Sequence, residues 1–259
     1  MLNKVALITI IQNGNEFFKI WYKYYSKIFA EKDIYIIDYC STDGSTDGIK
    51  CNIIKNSESQ IENVPQGNKL INDLKRELLK TYTYVIYADY DEILYHPKGL
   101  QYLLDLKERF YTTQGYEIVQ DTTKEPALDF QKSILEQRKY WYRCTEYDKP
   151  LITSIDFKWS QGNHSAVLEM PVIKHGVVDG YQNVVLQPHH IENLYLLHLH
   201  KVDYTHCLKL NEKNVRERSN PTIGGNHNFL VGENFKKWWA QFERNLVLIP
   251  ESISKSGII

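Results

Sequence analysis

Residues 84–96 read YVIYADYDEILYH, an apolar run that meets three carboxylates, Asp89, Asp91 and Glu92. In extended chain, residues two apart point the same way, so Asp89 and Asp91 could aim at one point. Carboxylates that close repel unless a cation or a shared proton relieves them. The stretch is either a solvated acidic turn at a strand end or a place for a metal. A second acidic strand end, IIDYCSTDGSTDG, carries Asp38 just past an apolar run, with Ser41 and Asp43 in the turn behind it. A carboxylate there can bind ribose hydroxyls or the polar edge of a base. The alternative is a tight turn that needs Gly44 and Gly48 for positive φ. Late in the chain, QPHHIENLYLLHLHK holds His189, His190, His198 and His200. In a strand, His198 and His200 share a face and Lys201 takes the opposite one. That pair is either part of an exposed histidine-rich strand or a set of ligands. Imidazole suits zinc, whereas the oxygen-rich DxD argues for Mg2+ or Mn2+.

The elements that must position these residues alternate through the first half. VALITII (5–11) is continuously apolar, as expected of a strand buried on both faces. NGNEFFKIWYKYYSKIFA follows as a helix with Phe17, Trp21, Tyr24 and Ile28 on one face, and Asn13 and Glu16 stand at capping-box spacing. DIYIID, CNIIKN and YVIYAD read as further strands. NKLINDLKRELLKTY reads as a helix with Leu70, Leu74 and Leu78 in a stripe, and PKGLQYLLDLKERF as a helix with Pro97 near its start. This alternation predicts an α/β fold with a parallel sheet and helices on both faces. Ligands of such sheets bind off the carboxyl ends of the strands. QNGNE, with Asn15 and Glu16, DYCSTDGSTDG and DYDE would therefore converge on one edge. After about residue 114 the pattern becomes strand-like with turn breaks. Helical stretches follow near 203–217 and 234–247, separated by SNPTIGGNHN, a loop that could move over the site.

The 259 residues suit one domain, divided at about residue 114 into a nucleotide-binding half (1–114) and an acceptor half (115–259). Lysine plus arginine (31) nearly balance aspartate plus glutamate (32), so no global basic field points to nucleic acid. Nineteen tyrosines and five tryptophans could stack on sugar rings or bases, or simply fill core. Cys40, Cys51, Cys144 and Cys207 show no CxxC spacing and read as reduced thiols. The seven-residue apolar run at the N-terminus is too short to span a membrane, and the expected location is the cytoplasm.

VALITIIQNGNEFFKIWYKYY, IYIIDYCSTDGSTDG and YVIYADYDEIL, in that order, resemble the glycosyltransferase family 2 superfamily, in the branch with D-x-STDG and D-x-DE motifs. The resemblance covers residues 4–95 and continues more weakly through KPLI, GNH and LLHLHKVDY. QNGNE departs from the branch, which often has a basic residue before Asn-Glu. The resemblance implies a GT-A fold with a Rossmann-like mixed sheet, mostly parallel in its N-terminal half. It also implies a nucleotide-sugar donor such as a UDP-sugar, a glycan or other hydroxyl acceptor, Mn2+ or Mg2+, and inversion rather than retention. By the same analogy Asp38 contacts the uracil or ribose, Asp89 the ribose side and Asp91 the metal, with His198, then His200, as late ligands. Asn15, Glu16, Ser41 and Asp43 complete the donor-side candidates.

An inverting transfer also needs a base for the acceptor hydroxyl. The candidates are Asp148 in EYDKP, Asp156 in SIDFKW, His164 in GNHSA and Glu192 in HHIEN. Rival readings are a sugar-1-phosphate nucleotidyltransferase, a non-catalytic nucleotide- or sugar-binding protein on the same scaffold, and a zinc hydrolase built on HxH. The first needs a glycine-rich basic loop after the first strand, which QNGNEFF does not supply.

Overall fold

The apolar runs of the first half become β1 (Val5–Ile11), β2 (Ile34–Tyr39), β3 (Asn52–Asn56) and β4 (Tyr84–Tyr87). They pair in parallel in the order β4-β1-β2-β3. Ala6, Leu7, Ile8, Ile36, Val85 and Ile86 are fully buried, which is why these strands are apolar on both faces. The structure, a computed structural model, describes residues 4–56, 64–100, 107–174, 177–217 and 226–259. Helix α1 (Asn15–Tyr25) links β1 to β2, and α2 (Val64–Leu78) links β3 to β4.

Beyond β4 the sheet becomes mixed. It gains β5 (Glu92–Tyr95), β6 (Phe110–Ile118), β7 (Tyr140–Arg143) and β8 (Ile152–Thr153), with the one-turn α3 (Ile134–Gln137) between β6 and β7. Strand β8 lies antiparallel between β4 and β6, and β7 antiparallel to β6. β9 (Lys158–Trp159), β10 (Ala166–Lys174) and β11 (Val177–Val185) form a separate three-stranded antiparallel sheet. β12 (His189–His198) returns to the main sheet, antiparallel to β5 and parallel to β6. Helices α4 (Tyr204–Glu217) and α5 (Gly232–Glu243), strand β13 (Val247–Leu248) beside β7, and the short α6 (Glu251–Ser254) complete the chain. The architecture is mixed α/β and Rossmann-like, parallel in its N-terminal half, with helices flanking the sheet. Among the described residues no helix is long and apolar enough to cross a membrane.

Several local expectations are revised. The Asn13–Glu16 capping box does not form, because Asn13 is left-handed (φ 54°) and its side chain accepts the Thr42 N–H instead (2.7 Å). Gly14 then heads α1, where a Cβ would lie 2.6 Å from that of Phe18. EILYH carries no strand signal of its own, yet Glu92–Tyr95 forms strand β5. It is held by two α1 tyrosines: Tyr24 donates to the Leu94 carbonyl (2.6 Å), and the Tyr25 hydroxyl accepts the Leu94 N–H (2.8 Å). Pro97 and Lys98 lie in a turn and Phe110 begins β6, so the helix expected over 97–110 is absent from 97–99 and 107–110; its middle, 101–106, and most of the SNPTIGGNHN loop fall outside the described residues.

The buried face of α2 is rotated from the leucine stripe: Ile71, Asn72, Lys75 and Leu78 are buried, whereas Leu70 and Leu74 are only partly so. The Lys75 ammonium sits 4.8 Å from the ring centres of both Phe157 and Trp159, with Asp156 at 3.5 Å. Burial drives it down to about 8, against the pull of Asp156. The unfolded chain then binds more protons than the native one between about pH 8 and 10.4, so this residue makes stability rise with pH through that window. Lys75→Met should remove that rise, worth on the order of 3 kcal/mol, as read by urea melts of both proteins at pH 7.5 and 10. Equal pH dependence in the two would refute the buried-charge reading.

Candidate functional site

The carboxyl ends of β1, β2 and β4 lie side by side, because β1 pairs with β2 on one flank and with β4 on the other. Such a switch point leaves a crevice off the strand ends. On the β2 side, the STDG turn closes around Asp38. This buried carboxylate accepts the Ser41 N–H (2.9 Å), the Thr46 hydroxyl (2.9 Å) and the Lys55 ammonium (2.7 Å). Burial works against its charge, but these bonds hold the carboxyl below the usual range. Ser41 Oγ accepts the Asn13 N–H (3.0 Å), which ties the turn to the end of β1. Asp43, on the exposed side, accepts the Ser45 N–H (3.0 Å). Asn15 opens α1, and Glu16 pairs with Lys19 (3.0 Å).

On the β4 side the chain is a tight turn, closed by Glu92 N–H to the Asp89 carbonyl (2.9 Å). The extended geometry expected of Asp89 and Asp91 is therefore absent, and their carboxylates take different partners. Asp89 receives the Tyr87 hydroxyl and the Lys149 ammonium (3.0 Å). Glu92, fully buried at the start of β5, binds the same ammonium (2.5 Å) and accepts the Asp89 N–H (3.1 Å). Burial pushes the Glu92 carboxyl up to about 7 despite Lys149. Burial disfavours the Lys149 charge as well, but Glu92 and Asp89 outweigh it and hold the ammonium above its ordinary range.

Asp91 faces the histidines. Its Oδ2 lies 3.4 Å from His198 Nε2 and 3.9 Å from His200 Nδ1. The register of β12 explains the placement, since His198 stands opposite Glu92 in β5 and opposite Glu117 in β6. Both Glu117 oxygens lie 2.9 Å from His198 Nδ1, and Glu117 also accepts the Lys201 ammonium (2.7 Å). Burial opposes charge on His198, yet Glu117 and Asp91 raise it to about 10. The same contacts overcome burial at Asp91, which is held below the usual carboxylate range, and at Glu117, which falls to about 2. Burial, with the Lys201 and His198 charges, takes His200 down to about 3 and leaves it neutral. Strand β12 ends at His198, so Lys201 is turned into this cluster and not onto an opposite face.

Tyr147 covers the cluster, its ring centre 4.2 Å from that of His198. It can pack there because β6 carries Gly115 beneath it: a Cβ at that position would lie 2.2 Å from the Tyr147 Cβ. Sequence reasoning does not single out Glu117, Tyr147 or Lys149 as site residues, and it sets Lys201 on the face opposite the histidines. The signals available were a glutamate inside the strand-like GYEIV and a lysine leading into the apolar PLI.

The base candidates fare unevenly. Asp148 is ion-paired with Arg143 (2.6 Å) and accepts the Gly115 N–H (2.8 Å), and Asp156 is held by Arg76 (2.8 Å). Glu192 is exposed near the other end of β12, remote from His198 along the strand. His164 is exposed, with Nδ1 2.6 Å from the Glu146 carbonyl and its ring 6.5 Å from that of Tyr147. His164 meets the cluster only through Tyr147, while Asp148, between Tyr147 and Lys149 in the chain, is held by Arg143 and the Gly115 N–H.

Among the described residues no group of three or more His, Cys, Asp and Glu side chains is arranged to hold a metal, as a structural zinc site would require. Asp91 and His198 nevertheless fit the sparser kind of site, in which one or two protein ligands share the cation with substrate phosphates. Glu117 behind His198 Nδ1 is the carboxylate–histidine arrangement of metal-ligating imidazoles, and a cation at Nε2 would displace the proton that Glu117 and Asp91 keep on the ring.

Lys149→Met should destabilise the fold by roughly 3–5 kcal/mol, since it strands Glu92 in the core. The double variant with Glu92→Gln should recover part of that loss in urea melts, and purely additive losses would refute the coupling. No family model matches this chain, and no curated protein matches it. Among solved structures, one match is a protein of Bacillus anthracis assigned as a glucose-1-phosphate thymidylyltransferase and crystallised with sucrose. It is 8% identical, with 92% of this chain and 83% of that chain covered and a TM-score of 0.30.

Proposed function

We propose that the protein is a metal-dependent glycosyltransferase that moves a sugar from a nucleoside diphosphate donor, a UDP-sugar in the simplest case, to a hydroxyl acceptor with inversion. The observation that carries this reading is the facing pair Asp91–His198, with Glu117 fixing the imidazole, at the sheet edge where the STDG turn also lies. Mn2+ or Mg2+ held by Asp91 and His198 would neutralise charge on the departing diphosphate. His200 stands beside the pair as a neutral imidazole.

The chain's own residues supply the positioning. Asp38 shapes the turn that presents Ser41, Thr42 and Asp43 to the nucleoside, while Asn13 ties that turn to β1. Asn15 and Glu16 at the start of α1 border the same edge. Lys149 fixes Asp89 for a ribose or sugar hydroxyl and balances the buried Glu92. His164 is the candidate to accept the acceptor proton. Asp148 and Glu192 are not, the first because Arg143 holds it and the second because of its place on β12.

Asp91→Asn should abolish transfer and Mn2+-dependent UDP binding in calorimetry while leaving the melting curve cooperative. Normal UDP and Mn2+ binding by that variant would refute the assignment. Glu117→Gln should weaken Mn2+ binding about 10–100-fold without removing either ligand, and unchanged affinity would make Glu117 purely structural. Release of pyrophosphate from UTP and a sugar 1-phosphate, with no turnover of any UDP-sugar, would replace this reading with nucleotidyl transfer.

A further inference from the structure

A cavity of about 360 Å3 shares Glu117, Tyr147 and Lys201 with the His198 cluster. Its lining mixes polar groups with the rings of Tyr142, Tyr147 and, from α5, Trp238 and Phe242; Tyr142 packs edge to face on Phe242, and His227 stacks on Trp238. Helix α5 buries Phe235 and Trp239 in the core, while Trp238 and Phe242, one turn apart, line the cavity.

Both cations of the lining are paired with carboxylates. Arg143 is paired with Asp148 (2.6 Å) and Lys201 with Glu117 (2.7 Å), and Glu146 adds a further carboxylate. Phosphate recognition calls for cations free to form charge-assisted bonds, and neither cation here lacks a carboxylate partner. What remains is a set of aromatic faces around ion-paired donors and acceptors. The Lys201 ammonium lies 5.1 Å from the Trp238 ring centre and 4.8 Å from that of Phe242. A neutral pyranose matches such a lining, with apolar C–H faces for the rings and hydroxyl edges for the polar groups.

We propose that this cavity is the acceptor subsite and that the group it receives is an uncharged pyranose ring. The assignment rests on the glycosyl-transfer reading of Asp91 and His198. Tyr147 connects the two places, since it lines the cavity and stacks on His198. Glu117 and Lys201 also belong to both places, so the cavity abuts the cluster that holds His198.

The test is saturation-transfer NMR with methyl β-D-glucopyranoside, methyl β-D-galactopyranoside and methyl N-acetyl-β-D-glucosaminide, together with calorimetric titration of UDP and Mn2+. The proteins are the wild type, Trp238→Ala and Thr145→Trp. The last fills the cavity from its exposed rim without removing core. Saturation transfer to at least one glycoside is expected for the wild type and should be lost in both variants, with UDP–Mn2+ binding retained. No transfer to any glycoside, undiminished transfer in Thr145→Trp, or displacement of the glycoside by UMP would overturn the proposal. The last result would place a nucleotide base in the cavity. Glycoside binding without any UDP–Mn2+ binding by the wild type would instead overturn the transfer reading, and the acceptor role with it.

Discussion

The contact on which the candidate site depends is the one between Glu117 and His198, two buried groups brought together by the register of β12 against β6. An imidazole in a dry interior tends to lose its proton, and a carboxylate there tends to gain one. Each keeps the other charged, and the hydrogen bond aims His198 Nε2 at Asp91. Lys201 shares Glu117, so the carboxylate is not left to one partner. A shift of one residue in the β12–β6 pairing would turn His198 to the other face of the sheet and dissolve the arrangement.

A second compensated cluster lies next to the first. Lys149 joins Asp89 to Glu92 and keeps two neighbouring carboxylates from repelling each other, without any metal. This sharpens the roles of the acidic turn. Glu92 is a buried structural group and Asp89 is half occupied by the lysine, so Asp91 is the carboxylate of the three directed at the histidines. Gly115 serves both clusters, since only a residue without a side chain lets the segment bearing Tyr147 and Lys149 pack onto β6. The same packing forms one wall of the aromatic cavity.

Much of the fold was legible from residue order. Unbroken β-branched runs, alternating with amphipathic helices, implied a parallel sheet whose strand ends share an edge, while the order β3-β2-β1-β4 is set by the pairing of the strands. The short strand β5 was not legible, because three apolar residues after an acidic turn carry no period of their own. What makes β5 a strand is its pairing with β12, about a hundred residues later, and its two bonds to α1 tyrosines. The leucine stripe of α2 misled for a related reason. Phe157 and Trp159 give Lys75 a place inside, and the helix turns to suit them.

The sequence by itself determined the parallel half, the acidic strand ends and the late histidines as the groups worth watching, because local periodicity and turn chemistry act between near neighbours in the chain. Only the tertiary structure decided how the charges are divided. Asp38 turned inward to its own loop, Asp89 and Glu92 went to Lys149, Asp148 to Arg143, and Asp91 joined Glu117 at the histidines. The reason is physical: a carboxylate's role follows from which cation or donor lies within a few ångströms once water is excluded. That neighbour comes from strands and turns distant in the chain, which no local pattern specifies.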